Sequence, residues 1–184
     1  MIVAVEGIDC AGKGEVCPRL ATALNAILYK TPPEHMREEQ DRINATATDA
    51  EHYYYFTRVV QTASVELAVL AATRNVVVDR YWMTTVVYHR VMGIPAELAD
   101  MGNIVMPDFT VYLTVSPEAQ AMRMNGRGMS PGDKRMDGRQ HLIRKVYEEI
   151  LATQSKTICV DTSNITPEQV IDLILAGTPS IHSG

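Results

Sequence analysis

Near the start of the chain the run Gly7-Ile8-Asp9-Cys10-Ala11-Gly12-Lys13 has the spacing G-x-x-x-x-G-K. Glycines let a backbone wrap closely around an anion, so that successive N–H groups and the first turn of a following helix point at phosphate oxygens. A lysine directly after the second glycine brings a cation to the β- and γ-phosphates of a nucleotide, where charge shifts during phosphoryl transfer. Gly7, Cys10, Ala11, Gly12, Lys13, Gly14 and Glu15 are therefore candidate ATP ligands, with Lys13 also catalytic. The hydroxyl residue that normally follows the lysine and ligates Mg²⁺ is replaced by Gly14, which has no side chain to coordinate with. Glu15 has two readings: a replacement metal ligand, or an acid suited to the dipole of a first helical turn. Cys10 reads either as a small filler in a variable loop position or as a reactive thiol.

Such a loop needs a strand to deliver it and a helix to receive it, and the flanking sequence supplies both. Residues 2–6 are a short β-rich run, and from 12 to 26 apolar side chains recur at helical spacing, with Pro18 predicting a kink or early turn. Residues 27–29 form a weak second strand; Thr31-Pro32-Pro33 stops regular structure, and a polar stretch continues to about 48. Asp49 is the expected N-cap of a long helix to 73, with Tyr53, Phe56, Val60, Ala63, Leu67 and Leu70 facing inward. Val76-Val77-Val78 is an apolar strand ending in Asp79-Arg80, followed by a helix over 84–91 and another after Pro95. Residues 109–115 read as a strand, and Ser116-Pro117-Glu118 opens a helix. The glycine-rich, charged segment 126–138 has almost nothing to bury and reads as a short lid. A helix over 139–153, a strand over 157–160 and a helix opened by Thr166-Pro167-Glu168 complete the chain. Alternating strands and helices predict an α/β fold with a parallel sheet, one domain over 1–178 and a flexible tail over 179–184. His89, His141 and His182 show no ligand spacing and are assigned to the surface.

Several segments in order resemble the thymidylate kinase family of P-loop nucleoside monophosphate kinases: the loop itself, Asp79-Arg80-Tyr81, the stretch from Met106-Pro107-Asp108 to Pro117-Glu118, and Arg127-Gly128 followed by Arg135. The resemblance covers nearly the whole chain. It implies a P-loop NTPase three-layer sandwich, with a five-stranded parallel sheet of order 2-3-1-4-5 between helices. It further implies ATP over the loop with Mg²⁺, and an acceptor nucleotide, dTMP or a related pyrimidine, in a cleft at the strand C-termini. By the same resemblance Asp9 contacts the acceptor sugar, Arg80 grips the acceptor phosphate, Tyr54 and Arg58 hold the base, and Tyr81 is a further substrate-binding candidate. Tyr54 and Arg58 are i, i+4 and share a helix face; packing with a solvated charge is the alternative reading. Arg127 and Arg135 would cover the transferring phosphoryl group, and Asp79 would join Glu15 at the metal. Where the family carries an arginine after strand two, this chain offers His35, or Arg37 slightly later. A homodimer is also implied; the apolar helix over 51–73 is a candidate for its interface and equally a candidate for internal core.

Composition narrows the remaining classes. A formal net charge of −5 lacks the cationic face that nucleic acid or a membrane surface demands. The three cysteines match no zinc spacing, which together with a start lacking a secretory signal predicts a reduced, cytoplasmic setting. Two other functions remain to be separated. A deoxynucleoside kinase would need a base beside the acceptor hydroxyl, for which Glu34 is the candidate. A non-catalytic nucleotide-binding protein would explain Gly14.

Overall fold

Five parallel strands, β1 (Ile2–Gly7), β2 (Ala26–Lys30), β3 (Asn75–Asp79), β4 (Phe109–Thr114) and β5 (Thr157–Asp161), form one sheet of order β2-β3-β1-β4-β5. The computed structural model describes residues 1–127 and 134–178, the side chain of Arg127 excepted. The middle of the expected lid and the expected tail lie outside the described residues. Every residue of β1 is buried, as are Val76, Val77 and Val78. Both runs are continuously apolar because helices cover a parallel sheet on both faces.

The connections explain where the helices lie. From β1 the chain moves two strands toward the β2 edge through α1 (Lys13–Ala23). All later crossovers run the other way, through α3 (Asp49–Ala71), α4 (Trp82–Val91), and α5 (Pro117–Arg127) with α6 (Gln140–Leu151). Right-handed crossovers place movements of opposite sense on opposite faces. Accordingly α3, α4 and α6 pack in a row, while α1 packs against the last helix, α7 (Pro167–Gly177). The chains leaving β1 and β3, which are neighbours, therefore go to opposite faces. The crevice between their C-terminal ends is the place where open α/β sheets bind ligands.

Local sequence accounts for most boundaries. Thr166 caps α7 through a reciprocal box with Gln169, and Pro167 opens it. Pro18 lies within α1, which continues past it to Ala23. For α3 the cap is Thr48 and not Asp49: the Thr48 side chain accepts from the Glu51 N–H while the Glu51 carboxylate accepts from Thr48 N–H. The inward face of α3 carries Tyr55, Val59, Val60, Ala63 and Leu67, with Tyr53, Phe56 and Leu70 only half-buried. The polar stretch before it is ordered as α2 (Arg37–Thr46), held by Ile43, which joins Met36, Tyr55 and Val59 in a small satellite cluster. After Pro95 there is one short 3₁₀ turn, Leu98–Met101. No described helix is long and apolar enough to cross a membrane.

Candidate active site

The loop after β1 is built on positive backbone angles. Gly7 has φ 146°, Cys10 63° and Gly12 91°, and Gly12 serves as the N-cap of α1 without any side-chain cap. A capping side chain would compete for the first amides of α1, which stay available to an anion. The Lys13 Nζ donates to the carbonyls of Gly7 and Ile8, each at 2.8 Å, and the residue is buried. Burial and then the neighbouring Arg80 push the Lys13 amine down to about 8.

Two further groups brace the loop. Arg123 on α5 donates to the Cys10 carbonyl at 3.1 Å and to the Thr162 hydroxyl and carbonyl at 3.0 and 2.7 Å. Thr162 in turn donates to the Ala11 carbonyl at 3.1 Å. Cys10, Gly12, Lys13, Gly14, Glu15, Asp79, Arg80 and Arg123 line one recess. Arg123 lies one helical turn before Arg127, so the i, i+4 arginine pair on α5 was the available signal for it.

Arg80, at the end of β3, takes a left-handed φ of 65°. Its backbone is held by Thr31, whose hydroxyl donates to the Arg80 carbonyl at 2.9 Å, and its N–H donates to the Val5 carbonyl at 3.0 Å. The guanidinium meets Asp9 Oδ1 at 2.6 Å and lies over the Tyr88 ring, 5.7 Å from its centroid. Tyr88 donates its hydroxyl to Asp9 Oδ2 at 2.8 Å. Burial pushes the Asp9 carboxyl up, but Arg80, Lys13 and the Tyr88 hydrogen bond outweigh it and hold Asp9 below its usual value.

Behind this trio lies a second cavity of about 190 Å³, walled by Gln40 and Asn44 of α2, His52 and Phe56 of α3, Thr84, Thr85, Tyr88, His89 and Met92 of α4, and Arg135. Arg80 lines both this cavity and the loop recess. Two spaces thus meet at one arginine.

The expected site residues divide accordingly. The loop residues, Lys13, Asp9, Asp79 and Arg80 come together. Glu15 is at the recess but exposed, paired with Arg19 at 2.7 Å. Arg135 reaches the cavity, not the loop, and is anchored to Asp49 at 2.6 Å and to the Ala47 carbonyl at 2.8 Å. Tyr54 and Arg58 share a face, as their spacing requires, but it is another face. They line a separate surface pocket, and Tyr54 is 68 % exposed. The cavity instead takes His52 and Phe56, also i, i+4 but two residues earlier, or about 200° around the helix. Tyr81 is buried in the core, its hydroxyl donating to the Val105 carbonyl at 2.9 Å. His35 lies outside the cavity, with its Nε2 3.7 Å from Glu66, and Arg37 pairs with Glu34 at 2.8 Å. His141 is exposed as expected, His89 is buried at 1 % exposure, and His182 lies outside the described residues.

A thymidylate kinase family model matches residues 5–174. A probable thymidylate kinase of Archaeoglobus fulgidus is 29 % identical over 178 residues, covering 89 % of this chain and 87 % of the relative. The human mitochondrial UMP-CMP kinase 2 is 32 % identical over 139 residues, covering 70 % of this chain but only 31 % of the relative. Among solved structures, thymidylate kinase from Candida albicans superposes with a TM-score of 0.78 at 18 % identity, covering 95 % of this chain and 89 % of that one. A deoxyadenosine kinase from M. mycoides follows the same fold with a TM-score of 0.71 at 18 % identity, covering 96 % and 97 %. By the extent of the family match and the joined loop and cavity, this chain belongs to the thymidylate kinase family, whose members are nucleoside monophosphate kinases.

Proposed function

We propose that residues 1–178 act as one kinase domain that transfers the γ-phosphoryl group of ATP to dTMP or a related pyrimidine nucleoside 5′-monophosphate. The observation that carries this reading is Arg80, shared by the loop recess and the second cavity. A donor polyphosphate on the loop amides and an acceptor phosphate in the cavity would meet at its guanidinium. An acceptor phosphate is already a nucleophile at neutral pH, so the protein needs to supply alignment and charge neutralisation more than a base. Lys13 leaves the Gly7 and Ile8 carbonyls for the β- and γ-phosphates. Arg123 steadies the loop, Asp9 keeps Arg80 in register, and Arg127, whose side chain lies outside the described residues, would add charge at the transferring phosphoryl group.

Asp79 lines the recess beside the loop and would hold Mg²⁺ there, together with the donor phosphates and water. The ion would neutralise charge on the donor phosphates. An added Cβ at Gly14 would meet nothing within 4 Å, so lack of room does not account for the missing hydroxyl. Glu15, committed to Arg19, is the weaker ligand candidate.

No observation favours direct phosphorylation of a nucleoside. Glu34 is exposed and paired with Arg37, and Asp9 is the only carboxylate among the described residues that line the cavity. The reading also takes the protein as a cytoplasmic homodimer. The test is ADP release with ATP, Mg²⁺ and a panel of nucleosides and monophosphates. Turnover is expected with a pyrimidine monophosphate and its loss, by at least about 10³-fold, in Lys13→Ala. Wild-type rates in that variant, or ADP release with nucleosides alone, would overturn it.

A further inference from the structure

The cavity wall contains an unbranched hydrogen-bonded chain that crosses three helices. His89 Nδ1 lies 2.6 Å from the Thr85 carbonyl, His89 Nε2 lies 2.7 Å from His52 Nδ1, and His52 Nε2 lies 3.1 Å from Asn44 Oδ1. Both rings are buried, and both line the cavity together with Asn44 and Phe56. All four ring nitrogens are committed within the protein, so the histidines have nothing left to offer a ligand. Asn44, with one end of its amide on His52, does.

Donor and acceptor roles along this chain are not free. A carbonyl oxygen only accepts, so His89 carries a proton on Nδ1. If His89 is neutral, its Nε2 accepts, His52 must donate from Nδ1, and a neutral His52 accepts at Nε2. The group that donates there has to be the NH₂ of Asn44, which exchanges the amide end for end relative to the Oδ1 contact above; the two ends are distinguished only by their hydrogen bonds. Asn44 then turns its Oδ1 toward the cavity. With Oδ1 left against His52, that ring must donate at Nε2 while His89 donates at Nδ1, so one of the two rings becomes an imidazolium. Burial opposes that charge: it pushes His52 down to about 3, aided by His89 and Arg135, and His89 down to about 4. Asp49, the nearby acid that would favour it, is already paired with Arg135, and Tyr53 offers His89 only a ring, 4.9 Å away.

We propose that Asn44 reads the base of the acceptor nucleotide, and that His52 and His89 are positioning residues whose chain, anchored on the Thr85 carbonyl, decides which end of the Asn44 amide faces that base. The assignment rests on the kinase reading, because it takes the cavity as the acceptor site. With Oδ1 outward, Asn44 accepts from a base N–H, such as the ring imide of thymine or uracil or the exocyclic amino group of cytosine. A base that offers a carbonyl at that edge is refused.

The test has a spectroscopic arm and a kinetic arm. Long-range ¹H–¹⁵N correlation spectra of the full chain at neutral pH, without nucleotide, should show both rings neutral and protonated on Nδ1, giving two pyridine-type Nε2 signals. In Asn44→Asp the carboxylate cannot donate to His52, so His52 must donate from Nε2 and one of the two rings gains a second proton, leaving one pyridine-type nitrogen in the pair. An Nε2–H tautomer at His89 in the wild type, or an unchanged pattern in the variant, overturns the relay. In Asn44→Ala, KM should rise by about tenfold or more for the preferred monophosphate, with smaller change in kcat, and by unequal factors across dTMP, dUMP and dCMP. Wild-type turnover with all three KM values held within about twofold in that variant sinks base reading alone. Absence of wild-type ADP release with every monophosphate sinks the kinase reading instead, and base reading falls with it.

Discussion

Lys13 is the residue whose charge state matters most, and its environment gives it an unusual proton balance. A lysine in the unfolded chain titrates near 10.4. Burial brings Lys13 down to about 8 in the folded protein. Between these two values the unfolded chain binds a proton that the native one has shed, so stability rises with pH across that window as the cost of a buried ammonium is relieved. A polyphosphate reverses the preference, because its negative charge favours the ammonium. ATP binding should therefore take up close to one proton at about pH 9 and almost none at about pH 6.5, and affinity should weaken as pH rises above about 8. Titration calorimetry in buffers of different ionisation enthalpy measures this directly. Proton release on the alkaline side would show that Lys13 does not meet the phosphates.

At the scale of elements, the close approach of β1 to β4 sets the loop's position. A Cβ at Gly7 would lie 2.2 Å from the Leu113 carbonyl oxygen, and the φ of 146° disfavours any side chain. Gly7→Ala must push the two strands apart or twist the loop away, and a loss of more than about 2 kcal/mol is expected from steric overlap and backbone strain. Denaturant unfolding of the variant checks it; wild-type stability would mean that the strands separate at little cost. Glycine was readable here from the loop pattern alone, as were the lysine, the apolar strands and the long helix. Other elements were not. Helix α2 carries a single buried apolar residue, Ile43, too little for a periodic signal, and it is ordered by Tyr55 and Val59 from another helix. Local spacing gave the i, i+4 rule on α3 but not its phase, so Tyr54 and Arg58 were expected where His52 and Phe56 stand. The His52–His89 pair was invisible because its members are 37 residues apart and satisfy each other only after α3 and α4 pack. Arg80, in contrast, was legible as a charge after an apolar strand, although nothing local foretold that it would border two spaces.

For the whole molecule, the remaining question is what covers α3. Its outer face carries Tyr54, Arg58, Val65 and Val69, spaced so that they fall on one stripe, and Val65 and Val69 are 68 % and 69 % exposed. Elsewhere on the same helix valines 59 and 60 are buried in the core, so the outer valines are not explained by the fold of one chain. A stripe of this kind is self-complementary under a two-fold axis, since each copy presents the same patch to the other. The homodimer proposed above would bury these valines and leave the loop recess and cavity open at the strand ends. Val65→Glu with Val69→Glu would place two like charges on each side of such an interface, at a cost of several kcal/mol in association. Sedimentation velocity should then show the wild-type dimer converted to a monomer of unchanged fold. A wild-type monomer at micromolar concentration, or a double variant that still sediments as the dimer, would remove α3 as the interface.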